Sequence, residues 1–248
     1  MKKHVLSTLI VMVPLVSACC GLPDLSGLIP ASGDVIQGSG TLVTEVFDLA
    51  GFDKVDVSHA FTADISQGDT FSVVVSIDDN LVQYLRVEKQ GSSLKIGLDS
   101  SRNYLTRHAT AEITMPELTG LALSGASHGT VTGFRSTKAL AVDVSGASHL
   151  SGDIEAGDAR LDVSGASHAT LSGSGQDVTI GASGASHVDL ADFPVADANV
   201  EASGASHVTV NPSGRLDVDA SAASHVTYLG RPTLGSIDTS GGSSVEPE

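Results

Sequence analysis

The feature that most constrains this chain is a five-residue phrase, Ser-Gly-Ala-Ser-His, that recurs through its second half. It stands at 124–128, 145–149, 164–168, 183–187 and 203–207. A variant, Ser221-Ala222-Ala223-Ser224-His225, follows, and then a degraded copy, Ser240-Gly241-Gly242-Ser243-Ser244. The last positions of the copies (128, 149, 168, 187, 207, 225 and 244) are 21, 19, 19, 20, 18 and 19 residues apart. A near-constant period of this length marks one supersecondary unit stacked on copies of itself, since one unit alone cannot bury its apolar face. With the last position as zero, −7 is apolar (Leu121, Val142, Leu161, Ile180, Val200, Val218) and −5 is apolar or small (Leu123, Val144, Val163, Ala182, Ala202, Ala220). Positions +1 and +3 are mostly apolar, as in Val188 and Leu190, while +2 is polar (Thr170, Asp189, Thr209, Thr227). Alternation with period two is the mark of a strand with one buried face. At about 3.3 Å per residue, one copy makes a rung with a perimeter of roughly 60 Å, enough for two or three strands. The expected fold is therefore all-β: a single-chain parallel β-helix (β-solenoid) of about 19–20 residues per rung, with Gly at −3 serving the corner. Composition agrees, because a thin stack needs small side chains: Gly is 27 residues, aromatics are 4% and Trp is absent.

The first half alternates without repeating. Val55-Asp56-Val57, 61–65 and 71–77 read as short strands, with turns at Gln67-Gly68-Asp69 and Gln90-Gly91-Ser92-Ser93. Residues 79–87 are the one helical turn, with Leu81, Tyr84 and Leu85 at helical spacing. Asp78-Asp79-Asn80 reads as its N-cap cluster, with a cation site as the alternative.

The N-terminus has the layout of an export signal: Lys2 and Lys3, an apolar run over 5–16, then Ser17 and Ala18 before Cys19. Val16-Ser17-Ala18-Cys19 resembles a bacterial lipobox, which predicts a lipoprotein signal peptide over 1–18 and acylation of Cys19. Ordinary secretory cleavage after Ala18 is the alternative. Cys19 and Cys20 are the only cysteines, so the folded part holds no thiol for a disulfide or a thiolate metal site. With Cys20 following the lipidated residue, the expected address is the outer membrane, facing the periplasm or the cell surface. Residues 19–40, rich in Gly, Pro and Ser, read as a flexible tether, and 41–245 as the folded domain, with the repeats over 120–245. The formal net charge of −16 excludes nucleic acid as a partner, and attraction to anionic headgroups as the mode of membrane attachment.

Laid out in order, the chain resembles the head GIN domain family, labelled auto-transporter adhesins. The residues that carry the resemblance are 52–58 (FDKVDVS), 65–69 (ISQGD), 78–81 (DDNL) through Val87-Glu88, 94–98 (LKIGL) and 113–118 (ITMPEL), followed by the Ser-Gly-Ala-Ser repeats. It spans roughly 41–245. The resemblance implies a parallel β-helix and an adhesion role, and carries no catalytic residues. Where other members often have Lys, Asp or another polar residue, the corner copies here carry His.

Little in the chain argues for chemistry. Gly125-Ala126-Ser127-His128-Gly129 fits the Gly-x-Ser-x-Gly elbow, but no helix follows it and its sister copies lack the second Gly. Asp162, Ser167 and His168 recur together, yet alternation puts Ser at −1 and His at zero on opposite faces. Phe134, Phe193 and Tyr228 are too irregular to form a stacking platform for sugars. No enzymatic activity is expected. The distinctive side chains are His128, His149, His168, His187, His207 and His225, placed by alternation on the outer face near Ser at −4 and Asp or Glu at −6 (Asp143, Asp162, Glu201, Asp219). Rungs about 4.8 Å apart would align six imidazoles over some 24 Å. Either duplication copied a tolerated surface residue, or neighbouring rungs hold Zn²⁺, Ni²⁺ or Cu²⁺, with a nearby Asp such as Asp162, or water, completing the shell and with a response to pH. His59 and His108 fall outside the column and read as ordinary. The expected role is a membrane-anchored adhesion, binding or structural module. Its partners would be the bilayer, through acyl chains, and a protein or polysaccharide ligand.

Overall fold

The structure is a computed structural model and describes residues 35–248. The readings of 1–18 as a signal peptide and of Cys19 as the lipidation site lie outside these residues.

Each copy of the repeat contributes one strand to each of two sheets. Before the corner phrase runs a strand such as Ala159–Val163, and after it one such as His168–Ser174. Successive copies pair in parallel and in register: Leu161 lies between Val142 and Ile180, and His168 between His149 and His187. The result is the expected parallel β-solenoid, with a ten-stranded and an eleven-stranded sheet back to back. The alternation read from the sequence is the burial pattern: Leu161, Val163, Ala169 and Leu171 are at most 2% exposed. Each rung uses two strands, and the second bends where it needs a third wall. The register shifts between Thr132 and Phe134 and between Asp189 and Pro194, so alternation breaks and Phe134 and Phe193 turn inward.

The first half supplies rungs out of sequence order. Strands Lys54–Val57 and Thr62–Gln67 sit directly against the first repeat copy, through Val57↔Leu123 and Thr62↔His128. Beyond them lies a rung from Ser93–Leu98 and Ala109–Met115. The end of the stack is closed by antiparallel pairing, with Leu85–Gln90 on the first of these strands and Ser72–Asp78 then Leu42–Phe47 on the second.

Three local readings need correction. The fold begins before residue 41, because Val35–Gln37, inside the expected tether, pairs in parallel with Asn103–Leu105. The helical segment is a 3-10 helix limited to Asp79–Tyr84, and Val87 lies in a strand. Asp78 does not cap that helix with its side chain. Fully buried, its carboxylate accepts the N–H groups of Gly40 (2.8 Å), Arg107 (2.9 Å) and His108 (3.3 Å). Burial pushes this carboxyl upward, but the backbone donors outweigh it and leave the group below its usual range. Asp78 is therefore a structural tie between two loops.

Candidate functional site

The corner phrase builds the site. Gly165 adopts φ +75° and Gly184 φ +79°. At Gly165 a Cβ would come within 2.5 Å of the Gly146 carbonyl oxygen, so stacking excludes a side chain there. Tight corners let backbone pairing continue around the turn: Ala166 N–H donates to the Gly146 carbonyl and His168 N–H to that of Ser148, both at 2.9 Å. Ser at −1 turns inward. Ser127, Ser148 and Ser167 are fully buried. Ser127 Oγ donates to the Ser124 carbonyl at 2.7 Å, and Ser148 Oγ accepts the N–H of Ser127 at 3.2 Å. A serine committed in this way is no exposed nucleophile, and the Gly-x-Ser-x-Gly resemblance at 125–129 ends there.

Histidine at zero faces outward, as alternation demands. His128, His149, His168, His187, His207 and His225 form one column with ring centroids 4.9, 4.7, 5.8, 6.1 and 5.1 Å apart. The first three rings are parallel to within 3°, and the others tilt by 27–32°. Parallel stacked rings point their nitrogen lone pairs side by side, so neighbouring donors do not converge on one ion. Asp162, one candidate to complete such a shell, lies on the other sheet, held by Arg160 through two contacts of 2.9 Å. Among the described residues no group of three or more His, Cys, Asp or Glu side chains is arranged to hold a metal ion. Burial first, and then the neighbouring rings of His149 and His187, hold the His168 imidazole below its ordinary pKa.

The two outward faces differ in the side chains that recur along them. On the ten-stranded sheet the −6 column carries Asp143, Asp162, Glu201 and Asp219, flanked in register by Asp56 and Asp238. Burial, then the charges of Asp162 and Asp56, raise the Asp143 carboxyl above its usual range. On the eleven-stranded sheet the imidazole column runs beside Thr130, Ser151, Thr170, Asp189, Thr209 and Thr227, flanked in register by Asp64 and Glu246, with Asp153 and Asp192 close by on the same face. A shallow groove of about 360 Å³ crosses this face at Thr130, Ser151 and Thr170.

His59 is the residue that the sequence reading passed over. Aligned by register, Val57-Ser58-His59-Ala60 matches Leu123-Ser124-Gly125-Ala126, so His59 occupies the corner position that the five full copies give to Gly. Extending the corner alignment one rung upstream would have exposed it. His108, by contrast, contributes its backbone N–H to the Asp78 tie.

A family model described as "putative auto-transporter adhesin, head GIN domain" matches residues 51–232. Among solved structures, a "putative adhesin" from Bacteroides fragilis NCTC 9343 is 19% identical with a TM-score of 0.77, over 86% of this chain and 100% of that one. A "putative lipid binding protein" from Parabacteroides distasonis ATCC 8503 is 17% identical with a TM-score of 0.70, over 87% and 100%. A "putative adhesin" from Parabacteroides merdae ATCC 43184 is 14% identical with a TM-score of 0.63, over 87% and 100%. At these identities the likeness to the solved structures is one of fold. No curated protein matches the chain.

Proposed function

Because the chain belongs to the head GIN domain family, we propose that it is a binding module held at the bacterial outer membrane, where it recognises a protein or polysaccharide partner. Attachment runs through acyl chains on Cys19. Recognition uses the outward face of the eleven-stranded sheet.

One observation carries this reading: on that face six imidazoles run in a column beside the hydroxyls of Thr130, Ser151, Thr170, Thr209 and Thr227, repeated in register at rung spacing. Hydroxyl and imidazole groups at rung spacing offer a partner a regular row of hydrogen bonds. Rigid backbone pairing on both sides of the column keeps these groups in place, so binding loses little side-chain freedom.

Adherence of whole cells tests the proposal. Cells lacking the protein should lose adherence to their substratum, and the wild-type gene should restore it. Thr130→Asp/Thr170→Asp, which replaces two hydroxyls of the column by carboxylates, should fail to restore it. Thr179→Asp, on the opposite sheet, should succeed. Full restoration by the Thr130→Asp/Thr170→Asp chain would overturn the assignment of the face.

A further inference from the structure

His59 stands in a strained backbone. Its φ is +63° and that of Ala60 is +59°, in a region that residues with a Cβ rarely adopt. Ala126 at φ +66° and Ala222 at φ +62° adopt it at other corners, so the conformation belongs to the corner, and what sets His59 apart is its side chain and its surroundings. Here the surroundings form a cleft. The neighbouring rung lacks the short corner, and residues 99–108 swing outward instead, braced where Asn103–Leu105 pairs with Val35–Gln37. This excursion walls a cleft of about 490 Å³ lined by Ser58, His59, Arg102, Asn103, Tyr104 and Ser124 among others. Gly97, directly beneath, makes room for it: a Cβ there would strike Ser58 Oγ and lie 3.0 Å from His59 Nδ1.

The lining is prepared for a ligand. His59 Nδ1 is bonded to Ser58 Oγ at 2.8 Å and accepts the Leu98 N–H at 3.4 Å, which assigns the remaining proton to Nε2. Burial lowers the pKa of this ring and keeps it neutral. The Tyr104 hydroxyl is enclosed and has no hydrogen-bond partner among the described residues. Arg102 makes no ion pair among them either. No carboxylate lines this cleft, whereas the three other surface clefts carry Asp162, Glu201 and Asp219, or Asp56, Asp143 and Asp162, or Asp153, Asp189 and Asp192.

The geometry points to a binding site for an acidic sugar residue in this cleft, a saccharide unit bearing one carboxylate. The planar fork of Arg102 takes the carboxylate in the paired geometry that guanidinium favours. Hydroxyls of Ser58 and Ser124, the Asn103 amide and the His59 Nε2–H take the ring hydroxyls. The volume is that of a small-ligand pocket. This site is independent of the face proposed for adhesion, so Arg102→Gln should leave cell adherence unchanged even where it abolishes sugar binding.

Calorimetry on the full chain tests it, with glucuronate, galacturonate and N-acetylneuraminate as probes and glucose, galactose and acetate as controls. At least one acidic sugar should bind, with the neutral sugars and acetate at least about tenfold weaker, the loss expected when one charge-assisted pair or the ring hydroxyl contacts are missing. Arg102→Gln should remove the preference for the acidic sugar. His59→Gly restores the residue that the other corners use, and should raise the melting temperature while weakening binding. Absence of binding by all three acidic sugars overturns the site. So does equal binding of neutral sugars or acetate, or an Arg102→Gln chain that binds like the wild type.

Discussion

At the scale of single residues, the corner fixes what each position tolerates. Gly165 combines a positive φ with a carbonyl oxygen where a Cβ would sit. Gly165→Val should therefore cost on the order of a few kcal/mol, against less than about 1 kcal/mol for Thr170→Val on the surface. Denaturant titration of both variants checks this, and equal midpoints would refute the corner geometry. His168 makes a second prediction. Its folded pKa is depressed below an unfolded value of about 6.5. On acidification through that value the unfolded chain binds the proton first, so stability is present at higher pH and is lost as pH falls. Asp143, with its raised pKa, acts in the opposite sense, so the informative comparison leaves it in place. Between about pH 7 and pH 5, His149→Asn/His168→Asn/His187→Asn should lose less melting temperature than the wild type. A steeper loss in the triple variant would contradict the stacked column.

At the scale of elements, stability should follow position in the stack, because each rung contacts only its neighbours. The last strands, Thr233–Thr239 and Ser244–Pro247, lack a rung beyond them among the described residues, and Leu234 is 49% exposed. Amides of the Thr233–Thr239 strand should exchange at least about tenfold faster than those of Ala159–Val163. Uniform protection would mean that the solenoid opens as one block. Elements also mark how far the sequence could be read. Rungs from Gly120 onward were legible because translation by one period repeats the same side-chain pattern, and the outward placement of the histidines followed from alternation. The insertion of Lys54–Val57 and Thr62–Gln67 between the rung of Ser93–Leu98 and the first repeat copy was not legible. That order depends on pairing between strands distant in sequence, and local alternation is silent on it. The cleft was hidden for the same reason, since it joins a corner at residues 58–60 to an excursion some forty residues later in the chain. The Phe134 and Phe193 bends likewise escaped a strict period of two, because the strands there insert one and three extra residues that alternation cannot anticipate.

At the scale of the whole molecule, the proposed lipid anchor and the two-sided stack are tested separately. The anchor is tested by feeding cells an alkyne fatty acid: wild type should take up label, and Cys19→Ala should lose both label and membrane retention. Undiminished label in the variant would remove Cys19 from the account. The faces carry the central claim, that the imidazole and hydroxyl side of the solenoid is where a partner docks. The most direct measurement is site-specific photo-crosslinking on intact cells, with benzoylphenylalanine at Thr170 on the eleven-stranded sheet or at Thr179 on the ten-stranded sheet. The account predicts a discrete adduct from position 170 and none from position 179. Adducts from position 179 alone, or equally from both, would contradict it.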